Sequence, residues 1–188
     1  MKQLFSQIDI LLSRQDRVLL AIDGFCTSGK TTLAEQLRKH YACCVIHMDD
    51  FFLRPEQRTP ERLALPGGNV DYERFQQEVL LPLSKGIPFS YRPYDCSRGI
   101  LAEPVQVVPA RLTVIEGSYS HHPYFGQAYD MRLFLTVSAD LQRQRILQRP
   151  KFLQQRFFDE WIPMEIAYFS AFSIPEKADM VMNTALLP

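Results

Sequence analysis

The sequence lacks long hydrophobic stretches and any excess of charge of one sign. No apolar run in its 188 residues approaches the roughly 20 that a membrane-spanning helix needs. The first nine residues carry an early acid and no continuous apolar core, so we expect no signal peptide, no membrane partner and a cytoplasmic location. Lysine plus arginine (21) equals aspartate plus glutamate (21), which argues against a protein that binds nucleic acid through bulk charge.

The sequence also lacks a cysteine pattern that would indicate a metal or disulfide site. The four cysteines (Cys26, Cys43, Cys44 and Cys96) form no Cys-x-x-Cys pair and have no zinc-ligand spacing. Cys43 and Cys44 fall in a predicted buried strand, where a small apolar side chain is common. We therefore expect reduced thiols with no redox role.

What the sequence does have is a regular alternation of short apolar runs and helical patterns. Each apolar run has strand length, and the runs lie at residues 18–22, 43–48, 112–115, 133–137 and 180–182. Continuous apolar runs suit strands that are covered on both faces. The pattern predicts a single α/β domain over residues 1–188, with three layers (α/β/α) and a parallel five-stranded sheet.

The helical patterns are bounded by recognisable start and stop residues. Residues 32–40 repeat leucine and alanine at helical spacing, and Ala139 to Arg149 ends at Pro150. Asp71 suits the N-cap of a helix that Pro82 limits, and Pro163 suits the first turn of a last helix. Residues 54–69 are rich in proline, glycine and charge, which predicts an exposed loop.

One motif carries specific chemistry: the segment from Gly24 to Thr31 reads Gly-x-x-x-x-Gly-Lys-Thr between a predicted strand and a predicted helix. Glycines allow successive backbone N–H groups to point at a β-phosphate, and the helix N-terminus adds its dipole. Lys30 reaches the β- and γ-phosphates and Thr31 holds Mg²⁺ in such loops. The predicted nucleotide-binding residues are Gly24, Phe25, Cys26, Thr27, Ser28, Gly29, Lys30, Thr31 and Thr32.

Two classes of nucleotide-binding protein compete, namely small-metabolite kinases and hydrolysing switches or motors. The Asn-Lys-x-Asp tetrapeptide by which switch GTPases read the base does not occur. Residues 45–50 end in paired acids, as a motor strand does, but they directly follow the phosphate-loop helix, whereas motors usually place such acids after a later strand. An acid at the end of the next strand suits a base directed at an acceptor hydroxyl.

At these positions the chain resembles uridine kinase and its relatives, which include phosphoribulokinase and bacterial pantothenate kinase. Six short segments carry the resemblance in family order over residues 17–184: Asp49-Asp50-Phe51-Phe52, residues 68–75, residues 81–86, residues 91–95, Ile115-Glu116-Gly117 and Ala178-Asp179-Met180-Val181. The family places a histidine used for the pyrimidine after its Tyr-Asp motif. This chain has Cys96-Ser97-Arg98-Gly99 there, so the identity of the acceptor is left open.

The resemblance implies a kinase in which Asp49 accepts the proton of the acceptor hydroxyl. A carboxylate can orient an in-line nucleophile and take its proton. Asp49 could instead hold a water of the Mg²⁺ ion or cap a helix. Glu116 ends a buried strand at the edge where α/β sheets bind ligands, so it would contact Mg²⁺ through water or an acceptor hydroxyl, or serve the fold alone.

Candidates for the acceptor pocket come from the same resemblance. They are Asp71, Tyr91, Tyr94, Asp95 and Arg98, together with Asp49 and Glu116. Carboxylates suit vicinal hydroxyls, and tyrosines offer a stacking face with a polar tip. Each has an alternative interpretation, since Asp71 is also a candidate N-cap and the two tyrosines could be packing residues.

Arginines after the fourth strand resemble the lid of this family, which we expect at about residues 143–160. Arg145 and Arg149 are spaced to share a helix face, and Arg156 follows Pro150. Closed over a triphosphate, these arginines would neutralise charge on the transferring group, Arg149 as a catalytic residue. The alternative is a solvated helix face.

Two further groups of residues are interpreted as structural. His121 and His122 suit surface or loop-packing positions, although a place in the pocket is left open. The aromatic residues Phe157, Phe158, Trp161, Tyr168, Phe169 and Phe172 are interpreted as packing.

Together the residues predict an ATP- and Mg²⁺-dependent kinase that phosphorylates a hydroxyl of a small metabolite, with a nucleoside as the first candidate. The alternatives are a kinase of pantothenate or of another sugar or vitamin, and a nucleotide-binding or hydrolysing regulatory protein. The preference for ATP over GTP and the formation of a homo-oligomer are left open.

Overall fold

A sheet of five parallel strands forms the centre of the fold in the computed structural model, which describes residues 1–186. In chain order the strands are β1 Val18–Gly24, β2 Cys44–His47, β3 Phe89–Tyr91, β4 Tyr94–Asp95, β5 Ile100–Leu101, β6 Val105–Val107, β7 Leu112–Glu116, β8 Met131–Thr136 and β9 Met180–Asn183. The central sheet has the order β2-β7-β1-β8-β9, whereas β3 pairs with β6 and β4 pairs with β5 in two small antiparallel ladders.

Helices cover the sheet and continue its connections. They are α1 Lys2–Arg14, α2 Lys30–Tyr41, α3 Pro60–Leu63, α4 Tyr72–Phe75, α5 Leu81–Lys85, α6 Ala139–Leu147, α7 Lys151–Arg156 and α8 Ile162–Phe172. The π-helical turn Gln76–Leu80 joins α4 to α5, and a second one, Phe157–Trp161, joins α7 to α8. Across residues 1–186, no helix has both the length and the apolar character that crossing a membrane requires.

The alternation of side chains along the central strands produces the two faces of the sheet. Leu20 and Ile22 of β1 pack with residues of α1 and α2, such as Leu4 and Leu37, in one buried cluster. The intervening Ala21 belongs to the cluster on the opposite face, where aromatic side chains of α4 and α8 lie. Because successive strand residues point to opposite faces, a continuous apolar run fills both cores. The predicted three-layer architecture is confirmed.

The five predicted strands of the sheet are present, with small differences at their ends. The second strand stops at His47 because the 3₁₀ turn Met48–Phe51 begins at the next residue. Asp71 caps its helix as predicted, since its Oδ1 accepts a hydrogen bond from the Arg74 N–H at 3.1 Å.

Other elements differ from the prediction. The pattern did not indicate α1 or the short ladders of β3 to β6, and the predicted loop at 54–69 contains a 3₁₀ turn and α3. Helical structure also begins before Pro163, at Lys151, and continues through the π-helical turn that precedes this proline. Along α8 the buried positions are Glu165, Tyr168 and Phe169, whereas Ala167 is exposed.

Candidate active site

The carboxyl ends of three adjacent strands, β2, β7 and β1, bring several predicted site residues together. Strand β7 lies between β1 and β2, and Glu116 is in register with Ile22 of β1 and with His47 of β2. The phosphate loop leaves β1 two residues beyond Ile22, and Asp49 follows β2 by two residues. Parallel pairing therefore places the loop, Glu116 and Asp49 along one edge of the sheet.

Backbone geometry of the loop depends on its two glycines. Gly24 has φ of +140°, and a Cβ atom there would collide with the backbone carbonyl of Leu135 in the adjacent strand. Gly29 takes a left-handed conformation with φ of +95° immediately before α2 begins at Lys30. Only glycine adopts these conformations without strain, so the sequence motif and the observed turn agree.

Lys30 is buried beneath the loop and makes three hydrogen bonds. Its Nζ donates to the backbone oxygens of Gly24 at 2.7 Å and Phe25 at 2.9 Å, and to Ser118 Oγ at 3.2 Å. An ammonium group has three protons, so these three acceptors match its full donor capacity. The lysine ammonium is thus held beneath the loop by acceptors from two parts of the chain, the start of the loop and the turn after β7.

One carboxylate oxygen of Glu116 contacts both Thr31 and His47. Thr31 Oγ1 donates to Glu116 Oε1 at 3.1 Å, and His47 Nδ1 lies 2.5 Å from the same oxygen. The hydrogen bond to buried Glu116 raises the pKa of His47 above its usual value, although the partial burial of His47 opposes this. A hydroxyl and a carboxylate oxygen therefore face the cleft together, which is the donor chemistry that Mg²⁺ prefers.

Asp49 faces the same cleft from the end of β2. Its pKa is raised to about 6, because the surrounding protein partly desolvates the carboxylate and because Glu116 and Asp50 lie nearby, while Lys30 opposes the shift. Gly117 lets β7 pass close to it: with φ of +141°, a Cβ at this position would lie 2.8 Å from Met48 Cβ and 3.4 Å from Asp49 Oδ1. Asp49 thus has an open face toward the cleft and a crowded one behind it.

A cleft of about 730 Å³ runs over the loop and past Asp49. Its lining residues are Cys26, Thr27, Ser28, Gly29, Lys30, Thr31, Thr32, Leu33, Gln36, Asp49, Glu116, Gly117, Ser118, Arg145, Gln148, Arg149, Phe157 and Thr184. The structure therefore brings most of the predicted nucleotide-binding residues to one cavity. Phe25 instead turns its ring into the core, 5.0 Å from that of Phe169.

The three predicted lid arginines take different positions. Arg145 donates to the Thr27 carbonyl at 2.8 Å, and Arg149 lines the cleft two residues beyond the end of α6. Arg156 forms an ion pair with Glu160 at 3.0 Å and stacks over the Trp161 ring, outside the cleft lining. A closing movement of residues 143–160 stays a prediction.

Apart from Asp49 and Glu116, the predicted acceptor residues do not line this cleft, and several are engaged by protein groups. Asp71 is buried and accepts from Gln57 Nε2 at 2.8 Å as well as capping its helix. The buried Tyr91 donates to Asp50 Oδ2 at 2.8 Å. Tyr94 is buried, Asp95 accepts from Ser97 Oγ and from the Arg98 N–H, and Arg98 itself is exposed. Their contact with an acceptor stays a prediction.

The histidines and aromatic residues mostly serve packing. His121 and His122 are both buried, which lowers their pKa values, that of His122 to about 4, and the His122 ring stacks on Tyr72 at 4.4 Å. Neither lines the cleft over the loop. Tyr168 and Phe169 pack in the core as expected, but Phe157 is a cleft residue.

Four polar residues of the site were missed by reasoning from the sequence: His47, Ser118, Gln142 and Glu165. His47 and Ser118 stand two residues from Asp49 and Glu116 respectively, so their positions at strand ends were a usable signal. Gln142 donates to the Cys26 carbonyl at 3.1 Å, and Glu165 accepts from the Cys26 N–H at 2.9 Å. Nothing in the sequence pairs either of them with residue 26.

The central sheet and its flanking helices match the fold of P-loop kinases of known structure, as the resemblance predicted. The protein described as a possible uridine kinase from Bacillus stearothermophilus superimposes with a TM-score of 0.67 at 23% identity, covering 96% of this chain and 99% of that one. Phosphoribulokinase from Rhodobacter spheroides superimposes with a TM-score of 0.58 at 10% identity, covering 89% of this chain and 70% of that one. At these identities the likeness is one of fold.

At the level of sequence, the chain is similar to human nicotinamide riboside kinase 2. The two are 29% identical over 124 residues, which is 64% of this chain and 53% of the human protein. The chain thus matches about half the length of this curated relative. No protein-family model matches the chain.

Proposed function

We propose that this protein is an ATP-dependent kinase that transfers the γ-phosphoryl group to a hydroxyl of a small metabolite, in the first place a nucleoside. The observation that carries the proposal is that Asp49 opens onto the same cleft as Lys30 and the Thr31–Glu116 pair. A phosphate cradle alone suits any nucleotide-binding protein. A carboxylate beside the phosphate cradle would add the base that phosphoryl transfer to an acceptor hydroxyl uses.

Phosphate binding would come from the loop backbone and Lys30. The amides around Gly29 and the start of α2 present N–H groups and a helix dipole to the triphosphate. Lys30 can keep its bonds to the Gly24 carbonyl and to Ser118 Oγ and turn the N–H that donates to the Phe25 carbonyl toward phosphate oxygen. Arg149, and Arg145 beside Thr27, supply positive charge from the side of α6.

The residues fit a magnesium ion. Thr31 and Glu116 place oxygen donors 3.1 Å apart in the cleft, and Mg²⁺ is commonly held by one or two protein oxygens plus phosphates and water. Bound there, Mg²⁺ would supply positive charge that offsets the negative charge developing on the phosphates during transfer. His47 holds Glu116 by a hydrogen bond, which would fix the orientation of the carboxylate.

Asp49 would act as the base that accepts the proton of the acceptor hydroxyl. Its raised pKa of about 6 leaves it ionised at neutral pH yet basic enough to take a proton during transfer. The neighbouring Asp50 is held by Tyr91 Oη, so Asp49 is the freer of the two adjacent carboxylates.

The acceptor side supports a nucleoside or a compound of similar size. The hairpin of β4 and β5 carries Asp95 and Arg98, candidates for polar contacts with the acceptor. Sequence similarity to a nicotinamide riboside kinase and structural similarity to a possible uridine kinase point to the same class of acceptor. We further propose that residues 143–160 close as a lid, and that the single domain works in the cytoplasm, where its four free cysteines stay reduced.

The proposal is tested by incubating the purified chain with ATP, Mg²⁺ and a panel of metabolites, and detecting phosphorylated products by mass spectrometry. The panel contains nucleosides, among them uridine and nicotinamide riboside, and also pantothenate, pentoses and other vitamins. Lys30→Ala and Asp49→Asn serve as control variants with strongly reduced transfer, and GTP replaces ATP in a parallel series.

A product from one acceptor class that both variants make at a greatly reduced rate would support the proposal. ATP hydrolysis that no panel member stimulates would instead favour a nucleotide-hydrolysing protein. Full transfer by Asp49→Asn would show that another group is the base.

A further inference from the structure

Glu165 is a buried carboxylate that the proposed chemistry does not use. It lies on α8, with 3% of its surface exposed, in an otherwise apolar stretch of helix. This helix is continuous, through the π-helical turn, with the segment that carries Arg156 and the cleft residue Phe157. A buried carboxylate is costly unless its oxygens are hydrogen-bonded, so its partners indicate its role.

Both oxygens of Glu165 bind parts of the phosphate site. Oε2 accepts from the Cys26 N–H of the loop at 2.9 Å, and Oε1 accepts from Ser118 Oγ at 2.6 Å. Cys26 and Ser118 lie 139 and 47 positions away in the chain, on the loop after β1 and on the turn after β7. One side chain thus ties together the two loops between which Lys30 lies.

The contact with Ser118 continues to Lys30. A serine hydroxyl has one proton, and the short distance to Glu165 shows where it is directed. Ser118 Oγ therefore presents its lone pairs to Lys30 Nζ, which donates to it at 3.2 Å. The series from Cys26 through Glu165 and Ser118 to Lys30 is a connected hydrogen-bond chain in which each member has a partner.

We propose that Glu165 is a positioning residue for nucleotide binding, which acts by holding the Cys26 end of the phosphate loop and by orienting Ser118 toward Lys30. Without it, the Cys26 amide and the Ser118 hydroxyl lose their shared acceptor, and the loop samples shapes that do not fit a triphosphate. The inference rests on the proposed function only in that the loop binds a nucleotide.

Direct binding of ADP, measured by isothermal titration calorimetry, tests this without any acceptor. Glu165→Ala removes both hydrogen bonds and should raise the Kd for ADP by about tenfold or more. Glu165→Gln retains an oxygen for Cys26 and a side-chain partner for Ser118, so its Kd should stay within about threefold of wild type. With an acceptor in hand, Glu165→Ala should raise the KM for ATP by about tenfold and change kcat much less, because Asp49 is untouched.

A matched control comes from the same helix. Tyr168 is also fully buried, one turn further along α8, and its hydroxyl donates to Asp23 Oδ2 at 3.0 Å. Tyr168→Phe removes one buried hydrogen bond of α8 without removing either bond of Glu165, so its affinity for ADP should match that of wild type. Thermal unfolding of each variant accompanies the titrations.

Wild-type affinity in Glu165→Ala, or equal weakening in Tyr168→Phe, would overturn the inference. If Glu165→Ala does not fold, Ser118→Ala decides in its place: it breaks the link to Lys30 and should raise the Kd for ADP about fivefold, and an unchanged Kd overturns the inference. Absence of nucleotide binding by the wild-type chain would overturn the proposed function and the inference with it, and is recognised before any variant is compared.

Discussion

The proposed phosphate side and the proposed acceptor side of the site are built in different ways. On the phosphate side, one continuous segment from Gly24 to Thr32 supplies backbone amides, a lysine and a hydroxyl. On the acceptor side, the candidates come from the end of β2, from the start of α4 and from two short ladders. Several of them, such as Asp71 and Tyr91, are already bound to other protein groups.

This difference suggests that phosphate binding and selection of the acceptor depend on separate parts of the site. A loop of contiguous residues binds phosphate mainly through its backbone N–H groups. Many side chains are compatible with such a backbone, so a short sequence motif is enough to describe the loop. An acceptor pocket is assembled from side chains that are distant in sequence, and its shape depends on how those segments pack. Changes on the phosphate side should therefore weaken the binding of nucleotide and metal, whereas changes on the acceptor side away from Asp49 should mainly alter affinity for the acceptor.

The largest effect is expected where the two sides meet. Asp49→Asn should lower kcat by about 10²- to 10⁴-fold, because a positioned general base contributes that much, while ADP affinity stays near that of wild type. Asp50→Asn is the matched control, since the carboxylate of Asp50 is adjacent to Asp49 in sequence but is held by Tyr91. This variant should lower kcat less than about fivefold. Steady-state kinetics with the identified acceptor measure both, and equal losses would show that the two carboxylates act together.

The next effect tests the metal-binding part of the phosphate side. Thr31→Ala should raise the Mg²⁺ concentration needed for half-maximal rate by about tenfold, because it removes an oxygen donor beside Glu116. Thr31→Ser keeps the hydroxyl and should resemble wild type. Activity measured across a Mg²⁺ titration provides the comparison, and an unchanged requirement in Thr31→Ala would move the metal away from this residue.

The dependence of rate on pH should sharpen the role of Asp49. Its pKa of about 6 is raised, so the carboxylate gains a proton as the pH falls through that value and can no longer accept one from the acceptor. We expect kcat/KM for the acceptor to be about tenfold lower at pH 5 than on its neutral plateau. ADP affinity measured over the same range controls for other titrations, and a flat profile would contradict a base with this pKa.

The smallest effect is expected on the acceptor side. Tyr91→Phe removes the hydrogen bond to Asp50 and should raise the acceptor KM about threefold to fivefold, leaving the KM for ATP unchanged. Tyr94→Phe is the variant with which Tyr91→Phe is compared, because Tyr94 is a second buried tyrosine, in the neighbouring ladder of β4 and β5. Kinetics with each substrate varied in turn distinguish the two, and a raised KM for ATP would contradict the division of the cleft.

The sheet and the phosphate loop were predictable because both depend on local patterns. Apolar runs such as residues 18–22 have to be covered on both faces, and Gly24 and Gly29 stand where the backbone needs positive φ. The loop at 54–69 and the start of the last helix were less predictable, because packing allowed α3 and helical structure before Pro163 against the local signals.

The sequence by itself determined the five strands of the central sheet, the phosphate loop and the presence of acids at the ends of the next two strands of that sheet. Parallel pairing then put Glu116 beside His47 and within reach of Thr31. Only the tertiary structure decided that Glu165 binds the Cys26 amide and Ser118, and that Asp71 and Tyr91 are engaged by the protein. Local patterns encode backbone conformation and burial, whereas these hydrogen bonds join residues 14 to 139 positions apart and depend on how the elements pack together.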